Sequence, residues 1–156
     1  MKRTYQILVL LAVLFTVGAV AQTKDKEKDK KPKPKPIPVY LANTGRNGGA
    51  ISVNEFNRLV KQGLTSRDSL GNPYTVNGFL LTYAERNLYE DSVGNLMWVT
   101  DFLSQVCYGD SLSTFLKQNI TERSKPGDTV YFDQISVISP EGKTAAGQGI
   151  RFELTK

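Results

Sequence analysis

Histidine is absent and cysteine occurs once, and these two shortages exclude more chemistry than any motif in the chain admits. Without His there is no Ser-His-Asp or Cys-His nucleophilic arrangement and no His-ligated metal site. The one cysteine, Cys107 between Val106 and Tyr108, has no second thiol to close an intramolecular disulfide, so the fold is held by its core. With those neighbours it reads as a buried small hydrophobe. An Asp-rich calcium loop is also missing, and the glycine-rich stretch Gly45 to Gly49 lacks the Lys-Ser or Lys-Thr that follows in a phosphate-binding loop. No metal or organic cofactor is therefore expected.

Long apolar runs are scarce too. The one uncharged apolar run, Ile7 to Val20, is shorter than the roughly 20 residues a membrane-spanning helix needs. It follows Lys2 and Arg3 and ends in Ala19-Val20-Ala21 before Gln22, the form of a secretory signal peptide over residues 1–21 with cleavage after Ala21. Because Gln22 rather than Cys stands directly after that point, the lipoprotein route is closed. The expected destination is the periplasm or the medium.

Charge is likewise thin where a folded face would need it. Of the formal +5, Lys2 and Arg3 carry +2 and the segment Lys24 to Lys35 carries +4, which leaves residues 37–156 at −1. Nucleic-acid binding is not expected of a nearly neutral, exported domain. Residues 22–38 read as an extended linker, since Pro32, Pro34, Pro36 and Pro38 favour polyproline II and nothing before Ile37 is apolar. Its lysines suit salt-sensitive contact with a membrane or cell-wall surface. Residues 39–156 are enough for one domain with a real core.

Within that domain the pattern is mainly β with two short helices. A strand is expected at Val39 to Leu41, then a loop over Asn43 to Gly49. Ser52 is placed to cap a helix, with Glu55 reaching back to its amide and Ile51 and Phe56 spaced as a hydrophobic staple. Phe56, Leu59 and Val60 form one apolar face until Gly63. Tyr74 and Val76 alternate, and Phe79, Leu81 and Tyr83 then alternate in the opposite phase, which demands a β-bulge near Asn77-Gly78. Asp91 to Asn95 is a turn, and Leu96 to Val99 a returning strand, apolar enough to be buried. Leu112, Phe115 and Leu116 share a face of a second helix capped by Asp110 or Ser111. The chain closes in a hairpin with turns at Lys125-Pro126-Gly127-Asp128 and Ser139-Pro140-Glu141-Gly142. Val130 and Phe132 fall out of phase with Ile135 and Val137, so a second bulge is required at Asp133 or Gln134.

Four of these segments, Gly48-Gly49-Ala50-Ile51-Ser52, Tyr74-Thr75-Val76-Asn77-Gly78-Phe79, Gly127-Asp128-Thr129-Val130-Tyr131-Phe132-Asp133 and Ser139-Pro140-Glu141-Gly142, occur in an order that resembles the C-terminal domain of GldM. GldM-type proteins belong to the gliding-motility and type IX secretion machinery of Bacteroidota. The resemblance runs from about Gly48 to Leu154. It implies a single immunoglobulin-like β-sandwich-type domain that docks on other envelope proteins and performs no catalysis. The chain departs from the family in showing neither a retained membrane anchor nor further β-domains before this one. It also has Ser139 where the family more often has Gly.

Three further readings attach to particular residues. Asp68-Ser69-Leu70, Asp91-Ser92-Val93, Asp110-Ser111-Leu112 and Asp128-Thr129-Val130 resemble the short O-glycosylation acceptor of exported Bacteroidota proteins, with modification then at Ser69, Ser92, Ser111 or Thr129; the same residues are ordinary turn and cap chemistry. Glu85, Glu90, Asp91 and Asp101 are close enough in sequence to raise a glycosidase-type carboxylate pair, and read more simply as solvent-face charges and turn formers. Docking is expected through a sheet edge or through Trp98, although Trp98 suits the core better. The alternative is a glycan- or ligand-binding module in which Trp98, Tyr89 and Tyr108 share one exposed aromatic platform.

Overall fold

Two phase shifts in the apolar pattern organise the sheet. Both expected bulges are present: in the computed structural model, which describes residues 34–156, the pairing of the fourth and sixth strands slips between Val76 and Gly78 and again between Gly78 and Leu80. The first slip inserts Asn77 into one strand. The second inserts a residue into the other at Gln134, whose φ of 50° is that of a left-handed bulge residue. Gly78 sits where the chains crowd, since a Cβ there would lie 2.9 Å from the carbonyl oxygen of Cys107. The signal peptide with Ala19, Ala21 and Gln22, and the linker up to residue 33, lie outside the described residues.

Eight strands and two α-helices follow in the order β1 (Val39–Leu41), β2 (Gly49–Ser52), α1 (Val53–Leu59), β3 (Leu64–Arg67), β4 (Pro73–Glu90), β5 (Leu96–Tyr108), α2 (Thr114–Arg123), β6 (Thr129–Ile138), β7 (Thr144–Ala146) and β8 (Ile150–Thr155). The domain is mainly β, with 51 % in strands, and the sheet is strongly curled into a half-barrel, a shape compatible with a sandwich-type domain. The strand order is β1-β3-β4-β6-β8-β2, with β5 on β4 and β7 on β6. Every strand pair is antiparallel except β2 with β8. Sequence alternation had placed no strand at β2 or β3. Both are four residues long and flank α1, where the capping signal dominates the pattern.

Lys35 to Lys156 form one compact unit, so the domain begins before Val39. Ile37 bridges to Gly147, donating to the Ala146 carbonyl and accepting from the Gln148 amide. The last residues assigned to the linker thus belong to the sheet.

Ser52 caps α1 as expected, its hydroxyl accepting from the Glu55 amide at 3.2 Å. The Glu55 carboxylate does not turn back onto the cap. It pairs with Arg46 at 2.9 Å instead, because the Arg46 fork offers two charge-assisted bonds. The cap of α2 is Ser113, accepting from Leu116, rather than Asp110 or Ser111. Leu112 and Leu116 are buried with Ile120, but Phe115 is 75 % exposed; a helix starting at Thr114 turns position 115 away from the face shared by 116 and 120.

The core lies on the inner face of the curled sheet, where α1 and α2 contribute Phe56, Leu59, Leu116 and Ile120. A chain of rings, Phe79–Phe132 at 5.6 Å, Phe132–Phe152 at 6.4 Å and Phe152–Phe56 at 6.3 Å, ties three strands to α1. Each such side chain contributes about 1.5–3 kcal/mol by burial. Ser139 is buried and its hydroxyl accepts from the Lys143 amide within the β6–β7 turn.

Candidate docking surface

The strand expected to be buried is exposed along almost its whole length. It also runs on from Val99 to Tyr108, giving thirteen residues, and within it only Cys107 is buried. Trp98, expected in the core, is 60 % exposed. The reason is positional. β4 pairs with β6 only from Thr75 to Ala84, while it pairs with β5 from Gly78 to Glu90. The distal part of the β4–β5 hairpin therefore projects past the rest of the sheet. An apolar strand pattern reports burial only where a second layer covers it.

Register fixes the two faces. Cys107 lies opposite Phe79, a core residue, so the odd-numbered residues of β5 share the inner face. Leu96, Trp98, Phe102, Val106 and Tyr108 consequently stand on the outer face, each at least 57 % exposed. Leu88 lies opposite Trp98 on that face, and the Arg86 guanidinium stacks 4.5 Å from the Trp98 ring.

Backbone polarity follows the same alternation. The Asp91 amide donates to the Asn95 carbonyl and the Gly109 amide to the Asn77 carbonyl, so odd residues of β5 form the hydrogen-bonded pairs with β4. Even residues from Leu96 to Tyr108 direct their N–H and C=O groups to the far edge. Among the described residues β5 pairs with β4 alone. That edge carries one charged residue, Asp101, and neither Pro nor Lys, the devices that usually blunt a free strand.

On the inner face of the projecting hairpin, alongside Met97 and Val99, the polar side chains are bonded to partners. Glu85 lies opposite Asp101. It accepts from Lys125 Nζ at 2.8 Å and pairs with Arg123. The Lys125 bond, joined by Arg123 and set against partial burial, holds its carboxyl below the usual carboxylate range. A glycosidase acid needs the opposite shift. Asp101 accepts from Asn87 Nδ2 at 2.9 Å and the Tyr89 hydroxyl at 3.2 Å, and Asp91 is taken up in its turn. Glu90 is exposed. Of the four carboxylates, the fold brings only Glu85 and Asp101 together.

A buried carboxylate anchors this hairpin to the domain, and no sequence signal marked it. Asp128, fully buried, accepts from the Tyr83 hydroxyl, from the Arg86 amide at 2.8 Å and from the Lys125 amide at 3.1 Å. Burial, then the bond to Asp128, pushes the Tyr83 phenol far above its ordinary range, so it remains a donor. Its motif reads as turn chemistry, and two of its three partners, Tyr83 and Arg86, lie more than 40 residues away in β4.

The aromatic platform does not assemble. Tyr89 lies opposite Met97 on the inner face, whereas Trp98 and Tyr108 share the outer face ten residues apart, about 33 Å along the strand. Ser69 and Ser92 occupy matching exposed turns, Asp68 to Asn72 and Asp91 to Asn95. In each, the Asp Oδ1 accepts from the amides two and four residues on, and Oδ2 from the Asn side chain. Ser111 precedes α2 and Thr129 opens β6, both half-buried. Cys107 is buried and its thiol is pushed up by that burial. No protein-family model matches the chain, and no curated protein matches it.

Proposed function

We propose that this chain is an exported, non-enzymatic interaction module of the cell envelope, and that it docks other envelope proteins through the outer face of the β4–β5 hairpin. The observation that carries the reading is a thirteen-residue strand with five large outer-face side chains exposed. An exposed apolar stripe of this kind, broken only by Thr100 and Ser104, marks an interaction site. The stacked Arg86–Trp98 pair supplies the residue types that dominate binding energy at interfaces. The resemblance to the GldM C-terminal domain frames the partner as a component of the gliding or type IX secretion machinery. The glycan alternative is disfavoured, because Tyr89 faces away from Trp98. Modification at Ser69 or Ser92 would decorate the turns without touching the docking face.

The test is crosslinked capture from the native host envelope. Wild-type protein, a version lacking residues 24–34, and Trp98→Ala/Phe102→Ala are compared. Recovery of a defined gliding or secretion component by the first two and its loss with the third supports the reading. Loss on removing the Lys/Pro segment would make that segment the adhesive part and sink it.

A further inference from the structure

The free edge of β5 has a symmetry its composition does not require. Centred on Phe102, the outward-facing residues match in pairs: Thr100 with Ser104, Trp98 with Val106, Leu96 with Tyr108. Hydroxyl stands against hydroxyl and apolar against apolar. Antiparallel pairing of this strand with itself would set Phe102 against Phe102 at the axis, hydroxyls one step out, and large apolar pairs beyond, all favourable cross-strand combinations. Like charges are not opposed, since Asp101 would face Leu103. A twofold interface needs this property, the same patch being complementary to itself.

We infer that the β5 edge takes a second copy of this chain, joining two half-barrels into one continuous sheet across a twofold axis at Phe102. The inference rests on the docking reading above and names the occupant of the edge, leaving the doubled outer face for the envelope partner. The even residues present their N–H and C=O groups in the alternation an antiparallel partner requires. Pairing would cover the edge backbone and the flanks of Trp98, Phe102 and Tyr108, while the outward surfaces of these side chains, at 60, 69 and 87 % exposure, stay open.

The experiment uses the processed full-length chain. Sedimentation over a wide concentration range is expected to show a dimer. Ser104→Pro removes one outward N–H and keeps the backbone bonds to β4, as proline on an edge strand does, losing only the exposed hydroxyl contact with Thr82 at 2.9 Å. It should weaken association about 100-fold with the melting transition kept. Spin labels at residues 96 and 108, placed separately, read the register, because each lies six residues from the axis. Both labels should report about 40 Å between copies. A slip of the axis to residue 100 would give about 26 and 53 Å and overturn the assigned register. A wild-type monomer at every concentration overturns the inference; if Trp98→Ala/Phe102→Ala still loses the envelope component, docking stands without self-pairing. A dimer with matched distances but capture indifferent to Trp98 and Phe102 would uphold the pairing and sink the docking reading.

Discussion

The two halves of β4 differ in one respect that governs everything else about them. From Thr75 to Ala84 the strand is flanked by β6, joined from Gly78 by β5 on its other side, and its inner face carries Phe79, Leu81 and Tyr83 under the helices. From Glu85 to Glu90 it is flanked by β5 alone, and Leu88 and Tyr89 are about half exposed. The same strand is core in one half and surface in the other, and the half without a second neighbour keeps only Leu88 and Tyr89 as large apolar side chains. Composition sets what a strand can bury; neighbours decide whether it does.

Matched phenylalanines should show the largest contrast. Phe132 is buried at the centre of the ring chain, and Phe102 is exposed across from Ala84. Phe132→Ala is expected to cost about 4 kcal/mol through lost burial and the cavity left behind, and Phe102→Ala less than about 0.5 kcal/mol in the monomer. Denaturant unfolding of both variants decides it. A large loss for Phe102→Ala would mean that the outer face of β5 is covered.

Acceptors come next. Asp128→Ala strands the Tyr83 hydroxyl and the Arg86 amide in a dry site and should cost about 3 kcal/mol. Asp101→Ala, with exposed partners Asn87 and Tyr89, should change stability by less than about 0.5 kcal/mol. Equal effects would show that Asp128 does not anchor the hairpin to the folded body.

What the sequence disclosed follows from the same contrast. Local chemistry was legible: the Ser52 cap, the two bulges, the turns and the closing hairpin each depend on residues a few positions apart. Trp98 and the strand around it were misjudged because an outward-facing apolar strand and a buried one have the same alternation, and only the missing neighbour separates them. Asp128 was invisible because its partners Tyr83 and Arg86 come from another part of the chain. The exposed surface was not legible, because it depends on how far β5 runs along β4 past the last residue that pairs with β6.

The two matched turns allow a subtler comparison. Gly71 and Gly94 hold φ of 86° and 88°, the first in open space and the second with only the Glu90 carboxylate at an ordinary 3.8 Å, so alanine at either pays only the left-handed backbone penalty, about 1 kcal/mol. Gly71→Ala should lower the global melting transition. Gly94→Ala should appear chiefly as faster amide exchange in the distal hairpin, which opens by itself. Identical exchange patterns for the two variants would show that the hairpin opens only with the whole domain.

Acidification should give the smallest effect. The Asn95 amide and side chain, and then the Val93 amide, bond the Asp91 carboxylate and hold its pKa below the ordinary aspartate value; Asn72 does the same for Asp68, its side chain first. In both cases the folded value is the lower one, so the stabilisation is complete above about pH 3.9, the unfolded value, and is lost as pH falls below it through the folded value. Amide shifts of Gly71 and Gly94 should therefore move together on acidification. Exchange in the distal hairpin should then accelerate first, because its strands have no second neighbour to hold them once the turn carboxylate is protonated. Asp91→Asn keeps an acceptor oxygen but removes the titration, and should flatten the Gly94 profile while leaving that of Gly71 unchanged. A Gly94 profile that survives the substitution would place the titrating group elsewhere, with Glu85 and its Lys125 and Arg123 partners the next to examine.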